Sequence, residues 1–341
     1  MKTEILKINS PDAPEIARVG EILRNGGLAA IPTETVYGLA GNALDGRCAE
    51  KIFAAKGRPS DNPLIVHISD FSQWESLVKV IPDEAVLLAE KFWPGPLTVI
   101  LPKSEIVPDE VSGGLDTVAV RMPENEIARA IIASAGVPLA APSANLSGKP
   151  SPTSASHVID DLDGRIDAIV DSGDCNVGVE STVLSLAVTP ARLLRPGKIT
   201  PEMLTDVLGE IEIDDAVFEK LIDGAAAASP GMKYKHYSPE APVVLVKGSL
   251  EDFAVFVNTN KKEGTVALCF EGEQELIDVP CLTYGKKNDS ASQAKHIFDA
   301  LRTVDKMGAK QVFARFPDNE GMGLAVFNRL LRAAAFNIIE L

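Results

Sequence analysis

Leu28-Ala-Ala-Ile-Pro-Thr-Glu-Thr-Val-Tyr-Gly-Leu39 is the stretch from which the fold can be read. Its first four residues are continuously apolar, as in a strand buried on both faces. Pro32 ends that run, and Thr33, Glu34 and Thr35 follow as a polar loop at the strand end. Upstream, over residues 13–25, Ile16, Val19, Ile22 and Leu23 recur at helical spacing, and Gly26-Gly27 stops the helix. Downstream, the pattern predicts strands at 64–68, 97–101, 117–121, 137–141, 168–170 and 182–186, with helices in several of the gaps. Such alternation implies an α/β sheet of mixed direction, and the proline-rich joins argue against a regular doubly wound order.

A chain of 341 residues is long for one core and suits two domains. Past Pro201 the sequence reads as a helix and then as an acidic, alanine-rich stretch over 214–228, expected to be a domain edge. The linker Ser229-Pro-Gly-Met-Lys-Tyr-Lys-His-Tyr-Ser-Pro239 is unusually dense in aromatic and cationic groups for a spacer. From residue 242 onward the alternation restarts, with strands at 243–246, 265–270, near Leu282, at 311–316 and 338–339, and helices at 250–257, 290–304 and 323–335. This describes a small, open α/β sheet.

Forty-eight acidic against 33 basic residues leave a net charge of −15, which disfavours an extended nucleic-acid surface. Cys48, Cys175, Cys269 and Cys281 are scattered, with no CxxC pair and no histidine at ligand spacing, so no metal residue is assigned. They read as reduced core thiols, and with no apolar signal core and no run near the roughly 20 apolar residues of a membrane span, the expected location is the cytoplasm.

Three polar clusters follow predicted elements. The first, Thr33-Glu34-Thr35, would by itself be a satisfied turn in which Thr33 caps the amide of Val36 or Tyr37. The second is Lys56-Gly-Arg-Pro-Ser-Asp-Asn-Pro63, after a helix over 48–55 and before a strand ending in His67. Its two cations could be partners for a helix C-terminus; flanking a glycine and stopped by proline, they are better suited to a phosphate clamp. The third is Ala141-Pro-Ser-Ala-Asn145 with Ser151 shortly after, where small residues let a ligand approach the backbone. There is no GxxxxGK[ST] loop and no complete GxGxxG, so a nucleotide would have to be held otherwise.

Together, Pro32-Thr-Glu-Thr-Val-Tyr-Gly-Leu39, Lys56-Gly-Arg58, Asn62-Pro-Leu-Ile-Val-His67, Trp93-Pro-Gly-Pro-Leu-Thr98, Val118-Ala-Val-Arg-Met-Pro123, Ala141-Pro-Ser-Ala-Asn145 and Gly178-Val-Glu-Ser-Thr182 closely resemble the YrdC-type threonylcarbamoyl-AMP synthases, over about residues 10–210. The linker and the second α/β unit resemble the long form of that family. The resemblance implies a YrdC-like open twisted mixed sheet with a concave cleft over residues 1–212, a linker closing as a lid over the active site at 213–241, and a smaller C-terminal Rossmann-like α/β domain over 242–341.

It also implies an activity: L-threonine and bicarbonate form a carbamate, which attacks the α-phosphate of ATP and expels pyrophosphate. The product serves N6-threonylcarbamoyladenosine formation in tRNAs that read codons beginning with A. By resemblance, Lys56, Arg58, Ser143 and Asn145 form the catalytic signature group, and Thr33, Thr35, His67, Arg121, Ala141 and Ser181 form the threonine pocket, with Arg121 on the amino-acid carboxylate. ATP falls to Lys56, Arg58, Asn62, Thr117, Ser143, Asn145, Ser151, Arg195 and Tyr237. Mg²⁺ is expected on the ATP phosphates rather than in a protein cage. Hand-over of the intermediate to a tRNA threonylcarbamoyl transferase complex is implied, without stable direct tRNA binding. Two other readings fit the same fold: an RNA-binding module, which the net charge opposes, and a carbamoyl-adenylate-forming relative from hydrogenase maturation, whose zinc-finger segments this chain lacks.

Overall fold

The computed structural model describes residues 2–220 and 237–341. The expected strands all form, and they close into two sheets. The first contains β1 (Glu4–Lys7), β2 (Ala29–Ile31), β3 (Gly38–Asn42), β4 (Ile65–His67), β5 (Leu97–Pro102), β6 (Thr117–Arg121), β7 (Leu139–Ala140), β8 (Ala168–Asp171), β9 (Thr182–Ser185), β10 (Arg192–Arg195) and β11 (Glu212–Ile213). Their spatial order is β1-β8-β2-β3-β7-β4-β6-β5-β9-β10-β11, with parallel and antiparallel neighbours mixed.

Helices α1 (Glu15–Arg24) and α6 (Glu126–Ala135) cover one face of this sheet; α2 (Gly46–Lys56), α3 (Phe71–Leu77), α4 (Asp83–Phe92), α5 (Asp109–Ser112), α7 (Ala155–Leu162) and α8 (Pro201–Leu208) complete the first half. The apolar stripe of α1 does what its spacing predicts: Ile16, Val19 and Leu23 are buried against Ile131 and Ile132 of α6 and against Ala29 and Ile31. On the other face Ile52 and Phe53 of α2, Trp74 of α3, Leu88 of α4 and Val158 of α7 share one core.

Beyond the expected strands the first sheet also contains β1, β3, β10 and β11, and β3 lies in its interior. Gly38-Leu-Ala-Gly-Asn42 has two glycines and weak strand propensity, and only its pairing with β2 and β7 makes it a strand. Gly41 suits the close packing of α2 on the sheet there, since a Cβ would meet side chains of Leu28 and Ile52 at 3.0 and 3.3 Å and those would have to shift.

The second sheet is entirely parallel: β12 (Val243–Lys247), β13 (Thr265–Cys269), β14 (Cys281–Thr283), β15 (Gln311–Arg315) and β16 (Ile338–Glu340), in the order β14-β13-β15-β12-β16. Helices α9 (Leu250–Asn260), α10 (Ser290–Lys306) and α11 (Gly323–Ala333) accompany it. No helix among the described residues is long and apolar enough to cross a membrane.

The stretch expected to begin as a domain edge at Asp214 instead starts as structure. Ile213 already belongs to β11, and Ala216 and Val217 are buried in a short turn of 3₁₀ helix. Val217 packs into the core of the second half. Residues 221–236, most of the expected lid, lie outside the described residues.

Helices α10 and α11 lie against the first half. Arg302 of α10 donates to Asp161 Oδ2 at 2.7 Å and to Pro150 O at 2.6 Å, and Asn328 and Arg332 of α11 donate to the carbonyls of Val217 and Ala216, each at 2.7 Å. Gly178, at φ +87°, is a point of close backbone approach: an added Cβ would stand 2.4 Å from both Ala294 O and Lys295 Cα of α10.

Candidate active site

The loops after β2 and β7, the ends of β4, β6 and β10, the residues just before β9, and Arg58 after α2 surround one cleft. The loop between β2 and β3 folds on itself because the Thr33 hydroxyl accepts from the amides of Thr35 and Val36, each at 3.2 Å. The expected turn-capping role of Thr33 is therefore real, and the same residue also lines the cleft. Across the cleft the 141–145 loop is stitched to this turn: Leu39 N donates to Pro142 O at 2.7 Å and Ala144 N to Tyr37 O at 2.8 Å.

Arg121, at the end of β6, is buried and held by each of its guanidinium nitrogens. Its Nε donates to Gly95 O at 3.2 Å, Nη1 to the Thr35 hydroxyl at 2.9 Å and Nη2 to Glu34 Oε1 at 2.5 Å. Both members of the Glu34–Arg121 pair are 4% exposed. The Trp93-Pro-Gly-Pro96 motif serves this arrangement by presenting the Gly95 carbonyl, with Trp93 packed 4.6 Å from Trp74 and its indole N–H donated to Leu97 O. Glu34 Oε2 has no hydrogen-bond partner among the described residues.

His67, at the parallel end of β4, stands beside it in the β4–β6 register. Its Nδ1 lies 3.2 Å from Ile65 O. A carbonyl only accepts, so this contact assigns the proton to Nδ1 and leaves Nε2 an acceptor. Burial first, and then the charge of Arg121, push the imidazole pKa down to about 3. His67 is thus neutral throughout the working range. Protonation then favours the unfolded chain between about 6.5 and about 3, so stability falls as pH drops through that window. NMR titration of the imidazole should show no His67 transition between about pH 5 and 8; a midpoint in that interval would mean the side chain is open to water.

Ser181 is fixed by Thr98 Oγ1 at 2.8 Å and by Arg195, whose Nη2 donates to the Ser181 hydroxyl at 3.1 Å and Nε to its carbonyl at 3.0 Å. Next to it, Glu180 accepts from the Ser151 hydroxyl on Oε1 and from Arg329 Nε on Oε2 at 2.6 Å.

The Lys56-Gly-Arg58 element divides its labour differently from the expectation of two clamp cations. Lys56 is buried, and its Nζ donates to the carbonyls of Ser143 and Asn145, the latter at 2.6 Å. Burial, with the charge of Arg58, holds its pKa well below the ordinary value. It shapes the 143–145 loop and is not among the cleft-lining residues. Arg58 does line the cleft, released from the helix because Gly57 takes a left-handed φ of 62°.

The lining brings together Thr33, Thr35, Arg58, His67, Arg121, Ala141, Ser143, Asn145, Ser181, Arg195 and Tyr237 of the residues picked out from sequence. Asn62, Thr117 and Ser151 lie outside it along with Lys56. Because β4 and β6 run parallel, Asn62 and Thr117 sit together at their starting ends, opposite to His67 and Arg121. Asn62 is fully buried, yet neither atom of its amide has a hydrogen-bond partner among the described residues. The lining also includes Val36, Gly38, Ile65, Pro142 and Glu180, which sequence reasoning gave no role. For Glu180 the signal was present: a lone carboxylate inside Gly178-Val-Glu-Ser-Thr182, just before a buried strand.

Residues 21–197 match the Sua5_yciO_yrdC family model, described as "Telomere recombination", and residues 199–335 match the Sua5_C model, "Threonylcarbamoyl-AMP synthase, C-terminal domain". The chain is 49% identical over 327 residues to a threonylcarbamoyl-AMP synthase of Pyrococcus abyssi, covering 93% of each chain. It is 45% identical over 337 residues to that of Bacillus subtilis, covering 97% of this chain and 96% of the relative. The crystal structure of P. abyssi Sua5 complexed with L-threonine superimposes with a TM-score of 0.93 at 46% identity, over 99% of this chain and 100% of that one. On sequence, fold and the coincidence of its motifs around one cleft, this chain belongs to the Sua5, YciO and YrdC family, in the form that carries the threonylcarbamoyl-AMP synthase C-terminal domain.

Proposed function

We propose that this chain is an L-threonylcarbamoyladenylate synthase, a nucleotidyltransferase that converts L-threonine, bicarbonate and ATP to threonylcarbamoyl-AMP and pyrophosphate. The observation that carries the reading is the meeting, in one lining, of a guanidinium fork held by Thr35, Glu34 and Gly95 with a second set of cations and small polar side chains. Arg121 has five N–H donors, of which three are engaged as described, leaving two for the carboxylate of threonine. The His67 Nε2 acceptor and the Ser181 hydroxyl take the polar groups of the amino acid.

The bond that forms joins a carbamate oxygen to the α-phosphorus; the bond that breaks releases pyrophosphate. Arg58 and Arg195 meet the charge that gathers on the phosphates, and the Ser143 to Asn145 loop, shaped by Lys56, approaches the nucleotide with its backbone. A buried amide without partners costs about 1–3 kcal/mol; we assign Asn62 and Thr117 to the nucleotide base, which pairs with the fully buried Asn62 amide only after the segment before β4 moves to admit it. Tyr237 and Ser151 close the phosphate end. Glu180 is the carboxylate in the lining, and both its oxygens are taken. Mg²⁺ therefore fits this site as an ion brought in on phosphate oxygens, where it would supply charge neutralisation.

We assign the synthase chemistry to residues 1–212, the lid to 213–241 and a supporting role to 242–341. The activated carbamoyl group then passes to a tRNA threonylcarbamoyl transferase complex in the cytoplasm, with no lasting contact between tRNA and this acidic chain.

The test is pyrophosphate release with ATP, bicarbonate and threonine omitted in turn: release should need all three. Arg58→Ala should lower it at least about tenfold, roughly 1.4 kcal/mol or more of barrier, with the fold unchanged. Release that ignores threonine and bicarbonate would make the protein a plain ATPase and sink the reading.

A further inference from the structure

Glu180 presents a difficulty for a site that takes a triphosphate, because it puts a carboxylate into the lining beside Arg195 and Tyr237. Like charges in a desolvated cleft repel strongly, so the wall needs that charge compensated. The compensating group comes from the other half of the molecule. Arg329 of α11 has no solvent exposure, and its Nε donates to Glu180 Oε2 at 2.6 Å. Its Nη2 donates to Pro196 O at 3.1 Å, next to Arg195, and its Nη1 to Asn328 Oδ1 at 2.9 Å. The same guanidinium lies 5.5 Å over the ring of Tyr237, which is held at φ 61°, a left-handed conformation that a non-glycine residue keeps only when its surroundings impose it. Phe298 of α10 packs the Tyr237 ring at 5.2 Å.

From this geometry we propose that Arg329 is a positioning residue of the nucleotide site: it neutralises Glu180 and fixes Tyr237 and the 195–196 turn, so that the C-terminal half completes the phosphate end of the cleft. The inference rests on the synthase reading and deepens it. Burial raises the carboxyl pKa of Glu180, but the charges of Arg329 and Arg195 outweigh this and hold it below the ordinary value, so it is a carboxylate that must be matched rather than one that protonates.

Four full-length proteins test this: wild type, Arg329→Lys, Arg329→Gln, and Glu180→Gln combined with Arg329→Gln. Pyrophosphate release gives KM for ATP and for threonine, and calorimetric titration gives ATP affinity without turnover. Arg329→Gln should weaken ATP binding and raise KM for ATP by at least about tenfold, with KM for threonine changed less than about threefold. Arg329→Lys should fall between it and wild type. The double variant removes the charge and keeps an acceptor for Ser151, so ATP affinity should return to within about threefold of wild type. A merely structural arginine would not show that charge-dependent rescue confined to ATP. Equal losses for both substrates with no rescue, or wild-type ATP affinity in Arg329→Gln, would overturn the proposal. If wild type binds ATP but releases no pyrophosphate, the synthase reading fails while the ATP affinities still decide the role of Arg329.

Discussion

Arg121→Ala should abolish threonine-dependent turnover and cost the fold about 3–5 kcal/mol, because it removes one partner of a buried ion pair and leaves the other charged. Glu34 would then keep a carboxylate at 4% exposure with no cation on it. The Thr35 hydroxyl and the Gly95 carbonyl would lose their donors as well. Stability and chemistry can be separated. Glu34→Gln combined with Arg121→Met carries no unpaired charge, so it should recover most of the denaturation midpoint and remain inactive with threonine. Urea unfolding and pyrophosphate release on the three proteins check both halves of the statement. Full turnover in the folded double variant would remove Arg121 from the threonine site.

Gly178→Ala should also have a large effect, though the residue touches no substrate. At φ +87° any side chain is strained, and the new methyl would stand 2.4 Å from the backbone of α10, which cannot rotate aside. Strain and overpacking together amount to roughly 2–6 kcal/mol. Either α10 withdraws or the loop does, and both displace Glu180 two residues on. Gly136→Ala is the matched control: Gly136 sits at φ +70° after α6 with nothing within 4 Å of its absent Cβ, so it bears the strain without the collision. We expect Gly178→Ala to melt well below Gly136→Ala and to lose at least about tenfold in synthesis. Equal melting temperatures would mean that the halves do not press on each other at this point.

Periodicity located most of the strands and the helices α1, α2 and α8 to α11, because apolar runs and their polar stops report burial directly, but it gave no place to β1, β3, β10 or β11 and no ranges to α3 to α7. It failed where burial is created by neighbours. β3 is made of glycine and alanine, and its strand character comes from β2 and β7. Motif reading likewise assembled most of the cleft, since Thr35, His67, Arg121 and Ser181 each sit at a strand end or next to one. It placed Lys56 in the right element but could not show that its amine turns inward to the carbonyls of Ser143 and Asn145. Glu180 and Arg329 were invisible as a pair: 149 residues separate them, and no local pattern announces a partner that far away.

The contacts of α10 and α11 also bear on how such a chain can be inherited. Asp161 and Glu180 lie in the first half, and the arginines that match them, Arg302 and Arg329, lie in the second. A recombination event that exchanged one half for that of a distant relative would strand buried charges on both sides of the seam. Each substitution at 161 or 180 therefore constrains what can stand at 302 or 329, and the two halves are expected to change together.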